Sequence, residues 1–143
     1  MSYTKIYIRA VWATKGRYPY LINTVKQKVI EHIRENAHVK NIYIDNINGH
    51  DEHLHCLISM SADQNIATIM NLLKGESSFW VNKQKLTKEK FGWQDDYFAV
   101  SIGESQVNAI RQYVRNQESH HQKKTFQEEY DEFIKNYKFE SGS

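Results

Sequence analysis

The sequence predicts an α+β fold, a four-stranded antiparallel sheet in the order βαββαβ followed by further helices. Two observations predict it. Runs rich in β-branched and aromatic residues alternate with segments whose apolar residues recur at helical spacing. One proline and six glycines leave little punctuation in 143 residues, so the connections are short and residues 1–143 read as a single domain.

Residues 3–14 carry Tyr3, Ile6, Ile8, Val11 and Trp12 and read as the first strand. Residues 21–37 place Val25, Val29 and Ile33 at helical spacing. Residues 40–48, with Ile42, Ile44 and Ile47, form a second strand. A tight turn over 49–51, including His50, leads into a third strand over 52–60, and a hairpin is the natural pairing. Residues 63–84 form a second helix with Asp63 as its N-cap; Ile66, Ile69, Leu72, Leu73, Phe79 and Trp80 are its expected buried stripe. Residues 97–102 are a fourth strand. Ser105 is positioned to cap a helix over 106–119, whose apolar stripe is Val107, Ile110 and Val114, and a last helix covers 125–137. This order is that of ferredoxin-like domains, with helices expected on one face of the sheet.

Nineteen basic and 17 acidic residues give a net charge of only +2. That total identifies no nucleic-acid partner, because such binding depends on local patches. The lone Cys56 excludes an internal disulfide and fits a reducing cytoplasm. The N-terminus has no apolar run of signal-peptide type, and no segment approaches membrane-spanning length. A soluble cytoplasmic protein is the expectation.

Chemistry concentrates in the third strand. Strand side chains alternate with period two, so His53 and His55 share one face while Leu54 and Cys56 point into the core on the other. Two imidazoles on one face can hold one metal ion. In the third helix Tyr113 and Gln117 lie one turn apart, on the border of the apolar stripe. Gln117 offers a neutral oxygen ligand. Tyr113 offers a hydroxyl that becomes a nucleophile where a metal and a positive environment favour the phenolate. Attack on a DNA phosphate would leave a phosphotyrosine and a free 3′-hydroxyl, and a second 3′-hydroxyl could reverse the step without ATP. Two histidines and an amide oxygen suit Mg²⁺ or Mn²⁺, although Zn²⁺ tolerates the same histidines.

Taken together, His53-Leu54-His55 and the Tyr113-x-x-x-Gln117 helix resemble the single-tyrosine HUH transposases of the insertion sequence 200/605 family. The likeness extends to Val11-Trp12-Ala13-Thr14-Lys15, Leu73-Lys74-Gly75-Glu76-Ser77-Ser78, Phe91-Gly92-Trp93-Gln94, residues 113–121 and Thr125-Phe126-Gln127-Glu128-Glu129-Tyr130. The resemblance implies a transposase that mobilises single-stranded DNA; some relatives act on repetitive extragenic palindromes. It implies His53 and His55 as metal ligands, Gln117 as the third ligand and Tyr113 as the nucleophile. It also implies a homodimer that binds a DNA hairpin, in which the tyrosine helix of one subunit can complete the histidine site of the other. Two positions depart from the pattern. Glu52 replaces an aspartate that commonly precedes the first histidine, keeping a carboxylate behind the ligand. Arg9-Ala10 stand where many relatives have a histidine.

His121, one turn past Gln117 with His120, is a further candidate to support the metal or a phosphate, or to end the helix in solvent. DNA contacts are expected from Arg9, Lys15 and Arg17, from Lys83, Lys85, Lys88 and Lys90, and from Arg111 and Arg115. The lysine cluster is flanked by Trp80, Phe91 and Trp93, a composition suited to base stacking. Two other functions fit the same residues. One is a non-catalytic nucleic-acid-binding module, indifferent to metal. The other is a domesticated relative that processes host palindromes.

Overall fold

In the computed structural model, residues 2–117 and 125–137 are described. Four strands form one antiparallel sheet: β1 Ile6–Ala13, β2 Tyr43–His50, β3 His53–Met60 and β4 Phe98–Ile102. Their order is β2-β3-β1-β4, which puts the histidine strand in the interior. Among the described residues the α-helices are α1 Val25–Val39, α2 Ile66–Gln84, α3 Val107–Arg115 and α4 Phe126–Asn136. No described helix is long and apolar enough to cross a membrane.

The predicted order holds, and several boundaries move for local reasons. The first helix starts at Val25 rather than 21, although Leu21 is still buried outside it. It ends in a Schellman motif: the Ile42 amide donates to the Ala37 carbonyl at 2.9 Å, and Asn41 takes the left-handed conformation (φ 60°). The second helix is capped by Asn65, whose side chain accepts from the Thr68 amide, and not by Asp63. Its buried stripe runs Ile69, Met70, Leu73, Ser77 and Val81. Phe79 lies off that stripe and is exposed. Ser105 falls in a short 3₁₀ turn and makes no cap bond; α3 runs from Val107 to Arg115, and the predicted end at residue 119 lies outside the described residues. At the last helix Thr125 and Glu128 form a reciprocal capping box.

The hairpin is tighter than expected. His50 is the last residue of β2 and pairs with His53, leaving Asp51 and Glu52 as the turn. Gly49 is required beside it, because a Cβ there would lie 2.1 Å from the His53 carbonyl oxygen. Thr14 ties the turn to β1, its amide donating to the Glu52 carbonyl at 2.8 Å and its hydroxyl to the same oxygen at 3.2 Å.

The largest correction concerns the layers. The sheet is covered on both faces. Ala10, Trp12, Leu54, Cys56 and Ile58 pack against the apolar stripes of α1 and α2. Trp12 meets Trp93 edge to face at 6.0 Å between ring centroids, and the Trp93 indole donates to the Ser77 hydroxyl at 2.8 Å. On the opposite face Val11 and Ala13 pack on Phe133 of α4, and Leu57 and Ile102 on Val107 of α3. The alternation of β3 therefore sends its histidines into a second buried layer, not to an open surface.

Candidate metal centre and tyrosine site

The register of the sheet sets the two histidines side by side. His53 lies opposite Ala13 and His50, and His55 opposite Val11 and Asn48. Both are fully or nearly fully buried. Glu52, the residue before the pair, holds His53 from behind: its Oε1 is 2.7 Å from His53 Nδ1. That bond turns Nε2 of His53 toward α3 and α4.

Two further groups meet the imidazoles there. Gln117, just beyond the last turn of α3, is fully buried and puts Oε1 3.2 Å from His53 Nε2. Glu129, from α4, puts Oε2 3.3 Å from His55 Nε2 and 3.5 Å from His53 Nε2. Ligand atoms of His53, His55 and Glu129 all lie within 4.8 Å of one another. Tyr113, half-buried on α3, stands its ring edge to face against His55, 5.6 Å between centroids. The guanidinium of Arg9 lies 4.8 Å from the centre of the Tyr113 ring.

The electrostatics follow from burial and from two carboxylates, Glu129 and Glu52. Burial disfavours a charged His53, but Glu129 and Glu52 together outweigh it and raise its pKa. Burial dominates at His55, whose pKa falls to about 3 although Glu129 opposes the shift. Burial would raise the Glu129 carboxyl, yet hydrogen bonds from His53 and His55 hold it well below the usual carboxylate range. The raised His53 pKa and the lowered Glu129 carboxyl express one attraction, at the place where a divalent ion would supply the positive charge.

Glu129 was not singled out from the sequence as a ligand. Its only signal is position, next to the capping-box Glu128 in the first turn of the last helix. His121, and its neighbour His120, lie outside the described residues. The candidate DNA contacts divide. Lys15, Lys83, Lys85, Lys88, Lys90 and Arg115 are exposed, and Lys15 and Lys90 border a groove with Gly92. Arg17 hydrogen-bonds Gln127 and sits 5.1 Å from the Tyr130 ring centre, tying α4 to the end of β1. Arg111 is held by Asp45 through two bonds of 2.8 and 2.7 Å. Asp45 is the residue that the β2 bulge between Ile44 and Asn46 leaves out of register, so this pair fastens α3 to the sheet. Arg9 is not a surface contact at all, being 9% exposed. Phe91 and Trp93 are buried in the core and Trp80 stacks on His32 at 4.0 Å, so the expected stacking aromatics beside the lysines are already used.

The IS200-like transposase family model matches residues 2–117. The chain belongs to that family. Among curated relatives, the ISDra2 transposase TnpA of Deinococcus radiodurans is 24% identical over 112 residues, spanning 75% of this chain and 80% of the relative. The same architecture occurs in a crystal structure of a candidate transposase from Deinococcus radiodurans R1 (TM-score 0.67, 21% identity, 81% of this chain and 93% of that one). It recurs in a REP-associated tyrosine transposase bound to a REP hairpin (TM-score 0.63, 15% identity, 85% and 72%). This transposase therefore shares their α+β fold, and its four buried polar groups and one tyrosine are the place to look for its chemistry.

Proposed function

We propose that this transposase cuts and rejoins single-stranded DNA through Tyr113, with Mg²⁺ or Mn²⁺ held by His53, His55, Gln117 and Glu129. The observation that carries the reading is convergence within one chain: two imidazole nitrogens, a carboxylate and an amide oxygen meet in a buried layer, with the Tyr113 ring against His55. The donor set fits a divalent ion. Its mixed nitrogen and oxygen ligands suit Mn²⁺ or Mg²⁺. Oε1 of Glu129 is buried without a hydrogen-bond partner, a vacant acceptor in an otherwise satisfied cluster. When bound, the ion would polarise the phosphate and offset its developing charge.

The remaining work falls to the chain. Glu52 orients His53. The Tyr113 hydroxyl gives its proton to solvent, and its oxygen bonds to phosphorus as the bond to the 3′-oxygen breaks. The protein stays on the 5′ phosphate, the departing 3′-oxygen takes a proton from solvent, and attack by another 3′-hydroxyl releases Tyr113. Family membership and the hairpin carried by one structural relative support a hairpin-bearing DNA partner. The dimer expected from the sequence belongs to this proposal, with the tyrosine helix docking on the histidines of its own chain, which the Tyr113–His55 contact supports, or on those of its partner.

The test uses a pool of stem–loop oligonucleotides with randomised single-stranded flanks. In Mn²⁺ or Mg²⁺ the wild-type protein should form a covalent adduct that survives a denaturing gel and disappears with chelator. Tyr113→Phe should give none while still binding the DNA. An adduct of equal yield from Tyr113→Phe would overturn the nucleophile; hairpin binding indifferent to chelator, with no adduct, would favour a non-catalytic binding module.

A further inference from the structure

We propose that Arg9 is a catalytic residue of this site, its guanidinium holding a non-bridging oxygen of the scissile phosphate beside Tyr113; the word scissile rests on the cleavage reading above. The alternation of β1 sends Arg9, Val11 and Ala13 to the face that carries His53 and His55, and Val11 pairs directly with His55. Arg9 therefore enters the histidine layer two residues along the neighbouring strand. Its guanidinium lies between two rings, 4.8 Å from the centre of Tyr113 and 4.9 Å from that of Phe133.

What distinguishes this arginine is the partner it lacks. Arg9 is nine-tenths buried, and its Nε is buried with no hydrogen-bond partner. No acid pairs with it among the described residues; Glu129, which shares its cavity, meets His53 and His55 through Oε2, and its Oε1 also lacks a partner. Removing a guanidinium from water costs several kcal/mol on general grounds, whereas cation–π contacts return on the order of 0.5–2 kcal/mol. The buried Nε–H of Arg9 is left without an acceptor, and an anion that supplies one is stabilised there.

The place for that anion is a small cavity lined by Arg9, His55, Tyr113, Glu129, Tyr130 and Phe133. It touches the phenol and the metal ligands at once. Of the groups available in DNA, only a phosphate is anionic, and the guanidinium fork matches its oxygens. Tyr130 and Phe133 of α4 complete the lining, and a cavity this small admits a phosphate only when a lining side chain moves. In the cleavage step the Tyr113–phosphorus bond forms and the bond to the 3′-oxygen breaks. Arg9 neither gains nor loses a proton; it holds the oxygens on which charge accumulates.

Two measurements test this. In metal-free protein titrated with inorganic phosphate, the Arg9 Nε–H resonance, assigned by its loss in Arg9→Lys, should shift saturably. A response no larger than that to chloride at equal ionic strength would overturn the anion site. On the oligonucleotide selected by the adduct assay, Arg9→Gln and Arg9→Lys should slow adduct formation on the order of 10²-fold. A neutral methylphosphonate at the cut position should close most of that gap, because the charged oxygen Arg9 reads is gone. Equal loss on both linkages would mark Arg9 as structural only and overturn the proposal; thermal melts of the Lys variant guard against misfolding. A wild-type protein that forms no adduct overturns the cleavage reading instead, and the phosphate titration then decides the anion site alone.

Discussion

On one face of β3, Leu54, Cys56 and Ile58 meet Ala10 and Trp12 and the stripes of α1 and α2. On the other face of the same strand, His53 and His55 meet Arg9, Gln117 and Glu129 beneath α3 and α4. Both layers are buried, so exposure does not separate them. The first is apolar and closes by packing. The second keeps polar groups at a depth where each must be compensated, and Arg9 Nε, His55 Nδ1 and Glu129 Oε1 are not, against the single Trp12 Nε1 in the first. Leaving such groups unpaired costs stability, which a fold sustains where those groups bind something.

The apolar face should be the more sensitive to truncation. Leu54→Ala removes a fully buried side chain next to Trp12 and should lower unfolding free energy by about 2–5 kcal/mol, read from urea midpoints. An effect under 1 kcal/mol would say that the α1/α2 layer does not carry the stability. Gly49→Ala strikes the β2–β3 hairpin, where Gly49 pairs with Leu54. The added Cβ would meet the His53 carbonyl oxygen and the Leu54 side chain, so a loss of roughly 1–3 kcal/mol or more is expected. Wild-type stability from that variant would contradict the close approach of β2 to β3.

The smallest effect is a pH dependence confined to the polar face of metal-free protein. The folded pKa of His55, about 3, lies below its ordinary 6.5, so in that window the unfolded chain binds a proton that the fold does not. His55 therefore costs stability as pH falls through the window. His53, with a raised pKa, acts in the opposite sense: its contribution is full below 6.5 and fades as pH rises through the folded value. Urea midpoints at pH 7 and pH 5 should show a smaller acid loss in His55→Gln than in wild type. Identical losses would remove His55 from the account.

Much of this site was legible because strand and helix periods are strict. Period two places His53 and His55 together in any strand, and one helical turn relates Tyr113 to Gln117. The two-sided burial was legible too, in hindsight of one fact: β1 is apolar on both alternations, with Ala10 and Trp12 on one side and Val11 and Ala13 on the other. Reading helices on one face alone therefore sent Arg9 to the surface, where it is not. Glu129 was hidden for a different reason. No local spacing links it to β3, and it reaches the histidines only because Phe133 seats α4 on Val11 and Ala13. Phe79 misled because several apolar residues of α2 fit neighbouring stripes, and packing on α1 selects the one through Leu73 and Val81.

The central claim, that one face holds the fold and the other holds an ion, is tested most directly by calorimetric titration of Mn²⁺ into wild type and the combined variant His53→Leu, His55→Leu, Glu129→Leu. The variant replaces the three ligand side chains by apolar ones and keeps Arg9 in the layer; circular dichroism should show that it is folded. Wild type should bind one Mn²⁺ per chain and the folded variant none. Undiminished Mn²⁺ binding by the variant would contradict the account.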